Sequence, residues 1–533
     1  MKKIFIYTSV LLSLAVSFSA CKKTIDKNYL NPELSTKPIV SGFFTAMLNS
    51  DRVRPAYWNL RTFFFPQLSV YAQTTTFDNV QDAYKHRDDY IGQYWSDFYY
   101  PSGNGSGPMA LYRAMQAAYA GLSKTDQADQ LVYLEAAKIV LAERAAKMID
   151  IWGDIPFSQA GSLETTSSIK NPVFDDSKAL YTSLISDLSE GATYFGAAKL
   201  AGNVQSAFNK ADILNGGSTT KWQAYANSVR LRLLMRISNV DEATAKAAVT
   251  TMLSSPATYP LIDGANNGSY DPSTADVLLQ PLTTTTNSTL SSALVEIDSY
   301  WAPDYKLNKV MLPSNDPRIR VIFDKYGQNV NGKFIPNAKF RAMPISYGSG
   351  QQDTAYNKYS IVDSATFINN VKMPGIVVTA SEVNFLKAEA YERWGLGNAS
   401  DAYNTALKQS ITFYYYLNSI GKGTEVAPTS TEINTFLNNS TASYALATDQ
   451  THRLALIYVQ KWLHFGFLQS DEAWAEYRRT KYPALTFPVE TSVDYQNPPT
   501  RLVYPTVETG YNTNYGTVKA KDTRTTKIFW DVK

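Results

Sequence analysis

A helical stripe, a glycine break and a second helical stripe constrain this chain more than any other feature. Thr379-Ala380-Ser381-Glu382 reads as a helix start, in which the threonine hydroxyl accepts the Glu382 N–H and the glutamate reaches back to the cap. Val383, Leu386, Ala390 and Trp394 follow at spacings of three and four and mark one buried side. Gly395-Leu396-Gly397 interrupts that helix, and Asn398 to Asp401 starts another through Ala402, Ala406, Leu407 and Ile411. The stretch 381–414 has the span of a tetratricopeptide unit, about 34 residues. Two helices of this kind leave an apolar face uncovered, so they need neighbours to stack on.

The neighbours are present upstream. Leu131, Leu134, Ala137, Leu141, Ala145 and Met148 form one stripe that should stop near Trp152, where Gly153-Asp154-Ile155-Pro156 ends the helix. This loop reads as a structural stop rather than a functional site. Asp175-Asp176-Ser177 caps a helix carrying Leu180, Tyr181, Leu184, Ile185 and Leu188. After Ser218-Thr219-Thr220 comes a stripe of Trp222, Tyr225, Ala226, Val229, Leu233 and Ile237, flanked by Arg230, Arg232 and Arg236, which read as a solvated or partner-paired face. The expected fold is predominantly α, a tetratricopeptide-like helical superhelix with scaffold segments around 80–240 and 379–478. An irregular, loop-rich insertion with minor β structure covers about 263–375. It includes the strand-like Lys333-Phe334-Ile335, and a structureless stretch of this length usually has a function. A proline-punctuated wrap occupies 480–533.

The N-terminus adds a location. Lys2 and Lys3 precede an apolar run of roughly fifteen residues that ends in Ser19-Ala20-Cys21, the charged, greasy and cleavage zones of a secretion signal. Cys21 is the only cysteine in 533 residues, so it has no partner within the chain. Its place directly after two small residues favours lipidation, with 1–20 removed as a signal and 21–40 left as a tether. Two or three acyl chains hold a protein firmly to a bilayer, whereas one holds it marginally.

Subtracting Lys2 and Lys3 from the formal charge of +3 leaves +1, too little to gather nucleic acid. Three histidines and one cysteine argue against a transition-metal centre. Asp263, Asp271 and Asp276 suit turns better than a calcium site, and no cofactor is expected. The acid pairs Asp88-Asp89, Asp175-Asp176 and Asp471-Glu472 suit solvated faces, caps or a helix terminus. No nucleophile elbow, zinc-protease motif or phosphate loop accompanies them, so the chain is not read as an enzyme. Binding is the better-supported chemistry: most of the 36 Tyr, 24 Phe and 9 Trp belong to the core, but Tyr and Trp also recur in Gly-, Asn- and Ser-rich stretches, where a ring offers a flat face to a ligand or partner. Candidate ligand contacts are Trp58, Arg61, Phe77, Asn79, Trp95, Trp301 and Tyr347. An aromatic face takes the C–H patch of a sugar or a flat peptide group, and polar neighbours supply hydrogen bonds.

The segments LAERAAKMIDIWGDIPF at 141–157, KWQAYANSVRLRLLMRI at 221–237, NDPR at 315–318 and TASEVNFLKAEA at 379–390 stand in this order behind a lipoprotein signal. In this the chain resembles the SusD/RagB family of outer-membrane nutrient-binding lipoproteins, in its SusD-like branch, over nearly its whole length. The resemblance implies a tetratricopeptide-type bundle that caps a SusC-like, TonB-dependent outer-membrane transporter and captures oligosaccharide or peptide at the cell surface without catalysis. Extracellular exposure is implied by the resemblance and not by the tether, whose first acid is Asp26. The alternative is a structural accessory lipoprotein that holds no cargo. Intact-mass analysis of the membrane-extracted protein is expected to find a chain starting at an acylated Cys21, and Cys21→Ser is expected to release the protein from the membrane fraction.

Overall fold

The helical period produces twelve α-helices of nine residues or more among the described residues. The computed structural model describes residues 39–533 apart from 77–81, 103–104, 169, 265–268, 283–288, 298 and 491, so Cys21, Phe77 and Asn79 lie outside the described residues. In chain order the helices are α1 (Val40–Leu48), α2 (Asp88–Tyr99), α3 (Pro108–Ala120), α4 (Lys124–Trp152), α5 (Ser177–Ala197), α6 (Gly202–Ala211), α7 (Thr219–Ile237), α8 (Glu242–Ser254), α9 (Ala380–Trp394), α10 (Ala399–Ile420), α11 (Gln450–Phe465) and α12 (Ser470–Thr480). No helix among the described residues is long and apolar enough to cross a membrane.

Local chemistry sets most of the ends. Ser123, Asp176, Ser218 and Asn398 each accept a backbone N–H at a helix start. α4 stops at Gly153, whose φ of +83° is open to glycine, and α9 stops at Gly395 with φ +68°. Thr379 caps α9 by accepting the Glu382 N–H at 3.2 Å. The reciprocal bond expected from Glu382 does not form. Its carboxylate is buried and turns to Arg232, whose Nη2 donates at 2.8 Å, because a buried charge gains more from a cation than from one amide.

α4 is buried on most of its circumference after Val132, wider than the single stripe expected, because α1, α3, α5 and α7 all pack on it. Phe44 of α1 meets Tyr133, Phe208 and Trp222 at centroid distances of 5.7, 5.9 and 6.0 Å, joining α1, α4, α6 and α7. The pair α9–α10 packs closely, α9 joins α7 and α11, and α11 joins α12.

Charge lies inside this stack. Arg232 and Arg236 are 4% and 0% exposed, so they do not form a solvated face. Arg236 reaches Glu472 at 2.5 Å and Glu476 at 3.1 Å, and Arg479 holds Glu389 with two bonds of 2.7 Å. Lys461 joins Glu476 at 2.6 Å. Burial alone would push Glu389 up, but Arg479 and Lys461 bring its carboxyl down to about 2.

Four two-stranded antiparallel ladders occur among the described residues: β1 (Ile155–Pro156) with β2 (Phe174–Asp175), β3 (Val277–Leu279) with β8 (Gly375–Val378), β4 (Phe323–Asp324) with β7 (Ile361–Val362), and β5 (Gly327–Val330) with β6 (Lys333–Pro336). Val277 faces Val378 and Leu279 faces Gly375, so the insertion leaves and rejoins the helices at one place. Asp154 accepts the Ser177 N–H at 2.8 Å beside β1, a structural role for that loop. The final segment docks on the end of α4, where Trp530 donates to Asp150 at 2.8 Å and Leu502 N–H to the Ile151 carbonyl at 2.9 Å.

His464 sits in the core of α11 between the Thr379 hydroxyl at 2.7 Å and the Ser410 hydroxyl at 2.9 Å. Burial, with Arg318 and Lys306 adding to it, pushes its imidazole down to about 3. The unfolded chain therefore takes up a proton near pH 6.5 that the folded chain refuses until about pH 3. Stability from this group is present above pH 6.5 and lost as pH falls through that window. Denaturant titrations should show the wild type losing about 1.4 kcal/mol per pH unit relative to His464→Asn between these limits.

Candidate functional site

The segment following α1 starts the candidate face. Tyr57–Asn59 is one helical turn, and Leu60–Leu68 continues as a π-helix containing Pro66, which has no N–H to give to the ladder. Phe63, Phe64 and Phe65 on it are buried and anchor the segment, while Trp58 stays 52% exposed. The Tyr57 ring meets the Trp58 indole edge-on at 5.0 Å. Tyr57 hydroxyl and Arg61 Nε both donate to Glu296, the latter at 2.9 Å. Those two donors hold the exposed Glu296 carboxyl below its usual range.

The chain then turns back on the insertion. Gln73 ends the helical stretch with φ +49°, and its amide donates to the Thr486 carbonyl at 2.7 Å. Thr76 donates its hydroxyl to the Trp301 carbonyl, bringing residues 73–76 against 301–304. A narrow cleft lies where these meet the stretch around Met343, lined by Thr75, Thr76, Asp304, Pro344 and Gln352. Thr75 is 2% exposed and its hydroxyl has no hydrogen-bond partner among the described residues. Asp304 accepts from Asn308 at 2.6 Å. Tyr347 stands beside this cleft, since its carbonyl accepts from Gln352 at 2.9 Å and its hydroxyl accepts from Tyr359 at 3.1 Å.

The expected residues therefore separate. Trp58, Arg61 and Tyr347 are on or near accessible surface. Trp301 is 4% exposed, with its indole N–H on the Tyr356 carbonyl at 3.2 Å, so it packs in a small core with Met343 and Tyr359 rather than presenting a face. Trp95 is 1% exposed and meets Trp152 at 5.2 Å and Tyr504 at 5.6 Å, with its N–H on Glu508 at 3.0 Å. Both rings are spent on internal packing because their backbone segments lie under other elements. Glu296, Asp304 and Gln352 were not nominated from sequence. Glu296 meets Tyr57 and Arg61 from more than two hundred residues away, and the cleft groups are gathered from separate stretches of the chain, so no local motif signals either. Asp263, Asp271 and Asp276 serve separate ends: Asp263 pairs with Lys387 at 2.8 Å, Asp271 caps Ser273 at 2.9 Å, and Asp276 accepts the Ala380 N–H at 2.8 Å.

The family model described as SusD-like, "Starch-binding associating with outer membrane", matches residues 36–505. The chain belongs to the SusD-like family. Solved structures agree in fold with this SusD-like chain. One named a chitin-binding protein has a TM-score of 0.71 at 22% identity, covering 93% of this chain and 100% of that one. A chitin-binding SusD homolog from Flavobacterium johnsoniae has a TM-score of 0.66 at 23% identity, covering 93% and 99%. A SusD homolog from Parabacteroides distasonis has a TM-score of 0.71 at 18% identity, covering 93% and 98%. No curated protein matches the chain. The tryptophan placements are checked by denaturant unfolding of this SusD-like protein. Trp95→Ala should lose about 3–5 kcal/mol, whereas Trp58→Ala should stay within about 0.5 kcal/mol of wild type.

Proposed function

We propose that this SusD-like protein captures a glycan at the outer-membrane surface, without converting it, and hands it to a SusC-like, TonB-dependent barrel transporter. The observation carrying this reading is the Trp58 indole, left 52% exposed on a segment whose three phenylalanines are buried. A sugar ring offers a C–H face that stacks on such an indole, and another unit of an oligosaccharide could set hydroxyls against Asp304 at the separate cleft beside Thr76. Arg61, fixed by Glu296, is a further donor, and Tyr347 a further ring. The family's starch-binding description and the chitin-binding names of two structural neighbours favour glycan over peptide cargo.

A non-catalytic role fits the carboxylates. Asp175 accepts the Phe157 and Ser158 N–H groups at 2.8 and 2.9 Å, and Asp471 and Glu472 are tied to Lys147 and Arg236. Lipid on Cys21 would hold the body at the bilayer, and handoff to a barrel requires affinity loose enough for release. Binding near micromolar, about 8 kcal/mol, meets that need.

Calorimetric titration of the purified lipoprotein in non-ionic detergent should find such binding for a malto- or chitooligosaccharide. Trp58→Ala should weaken it about tenfold, which is about 1.4 kcal/mol. A protein that binds neither these glycans nor peptides would instead be an accessory of the assembly.

A further inference from the structure

A second, narrow cleft lies between the segment after α1 and the start of α12. None of the candidate cargo residues lines it. Arg52, Arg54, Arg144 and Lys147 do, against the single acid Asp471, together with Tyr94 and Gln469. A neighbouring hollow shares Arg52, Tyr94, Arg144 and Lys147, and continues along apolar walls that include Phe98 and Val140.

The fold holds these donors in place. Arg144 and Lys147 come from adjacent turns of α4, and Lys147 pairs with Asp471 at 2.8 Å, Glu143 at 3.4 Å and Glu472 at 3.9 Å. Arg52 is ion-paired with Asp97, and its guanidinium lies over the Tyr94 ring at 4.8 Å. Tyr94 is stacked from the other direction by Phe63, at 3.8 Å. β8 closes one wall, since a Cβ on Gly375 would stand 2.4 Å from the Val53 carbonyl oxygen, and only glycine permits that approach.

Two features remain unanswered by the chain itself. Gln469 is 2% exposed and its Nε2 has no hydrogen-bond partner among the described residues. Arg144 forms an ion pair with its neighbour Glu143 at 3.1 Å, and its guanidinium donates no hydrogen bond among the described residues. A buried amide donor needs an acceptor, and a guanidinium paired through its Nε alone keeps its other N–H groups open to a second oxygen partner. One occupant with negatively charged oxygens satisfies both.

We propose that this cleft binds a small oxyanion, a carboxylate, sulfate or phosphate group, between Arg144, Lys147 and Gln469, with Tyr94 and Arg52 at its edge. A free inorganic anion and an acidic sugar offer the same chemistry, so both are tested. The mature lipoprotein in non-ionic detergent is titrated calorimetrically with sodium sulfate, sodium phosphate, sodium acetate and glucuronic acid, each at ionic strength matched with sodium chloride. Saturable binding of at least one is expected. Sulfate, phosphate or acetate identifies a free anion, and glucuronic acid alone identifies an acidic sugar. Gln469→Glu, which keeps the shape and adds a negative charge, should weaken binding at least about tenfold, and Tyr94→Phe by roughly twofold to fivefold. Melting curves establish that Gln469→Glu is folded, and Tyr94→Phe, which removes one oxygen, serves if it is not. Heats no different from chloride for every anion, or wild-type binding by folded Gln469→Glu, would overturn the proposal. Neither result would touch the glycan reading, which is measured with neutral sugars.

Discussion

The arrangement of the helices depends on the ionic spine shared by α4, α7, α9, α11 and α12. Arg232 and Arg236 stand one turn apart on α7, and Glu472 and Glu476 one turn apart on α12, so the helices meet charge to charge at more than one level. Arg479 binds Glu389 and Glu476 together, and Lys461 closes the same group from α11. Such pairs add little net stability over an apolar core, because each ion loses its water on burial. Their effect is on register. Sliding one helix by a turn, about 5.4 Å, would leave a buried charge without its partner, at a cost of about 3–5 kcal/mol for each broken pair.

The insertion is positioned by similar means, which gives the NDPR motif a physical role. Asn315 ends a short helix with φ +54°, and Asp316 turns its carboxylate onto Arg318, which is fully buried. Arg318 then donates to Ser410 on α10 at 2.8 Å and to Gln460 on α11 at 2.6 Å. With β3 paired to β8 at the point of departure, the irregular region is pinned to the scaffold at two places. The cleft beside Trp301 is thus formed by loops but held by helices, a common arrangement for recognition surfaces on rigid frames.

Much of the scaffold was legible because its causes are local. A cap needs a side-chain oxygen and an N–H three residues on, and an amphipathic stripe repeats every three or four positions, so Ser218, Asp176 and Gly153 announced their elements. Glu382 shows where this stops. Its position in a capping box is a local fact, yet its carboxylate chose a guanidinium 150 residues away. The three arginines of α7 likewise lie on flanks in a helical projection, and only the neighbours packed there decide whether a flank meets water or a carboxylate. The candidate site was least legible. Trp58 and Trp95 occur in similar aromatic and polar company, and one is an exposed platform while the other is core.

By itself the sequence determined that the chain is a stack of helices, where many of them begin and end, that an irregular region interrupts them, and which family it resembles. These follow from periodicity, caps, breakers and ordered motifs, all properties of short segments. Tertiary structure alone decided which charges are buried, which aromatics face solvent and which polar groups share a cleft. Those outcomes depend on elements brought together from distant parts of the chain, and the free energy of a buried side chain is set by the groups surrounding it rather than by its neighbours in sequence.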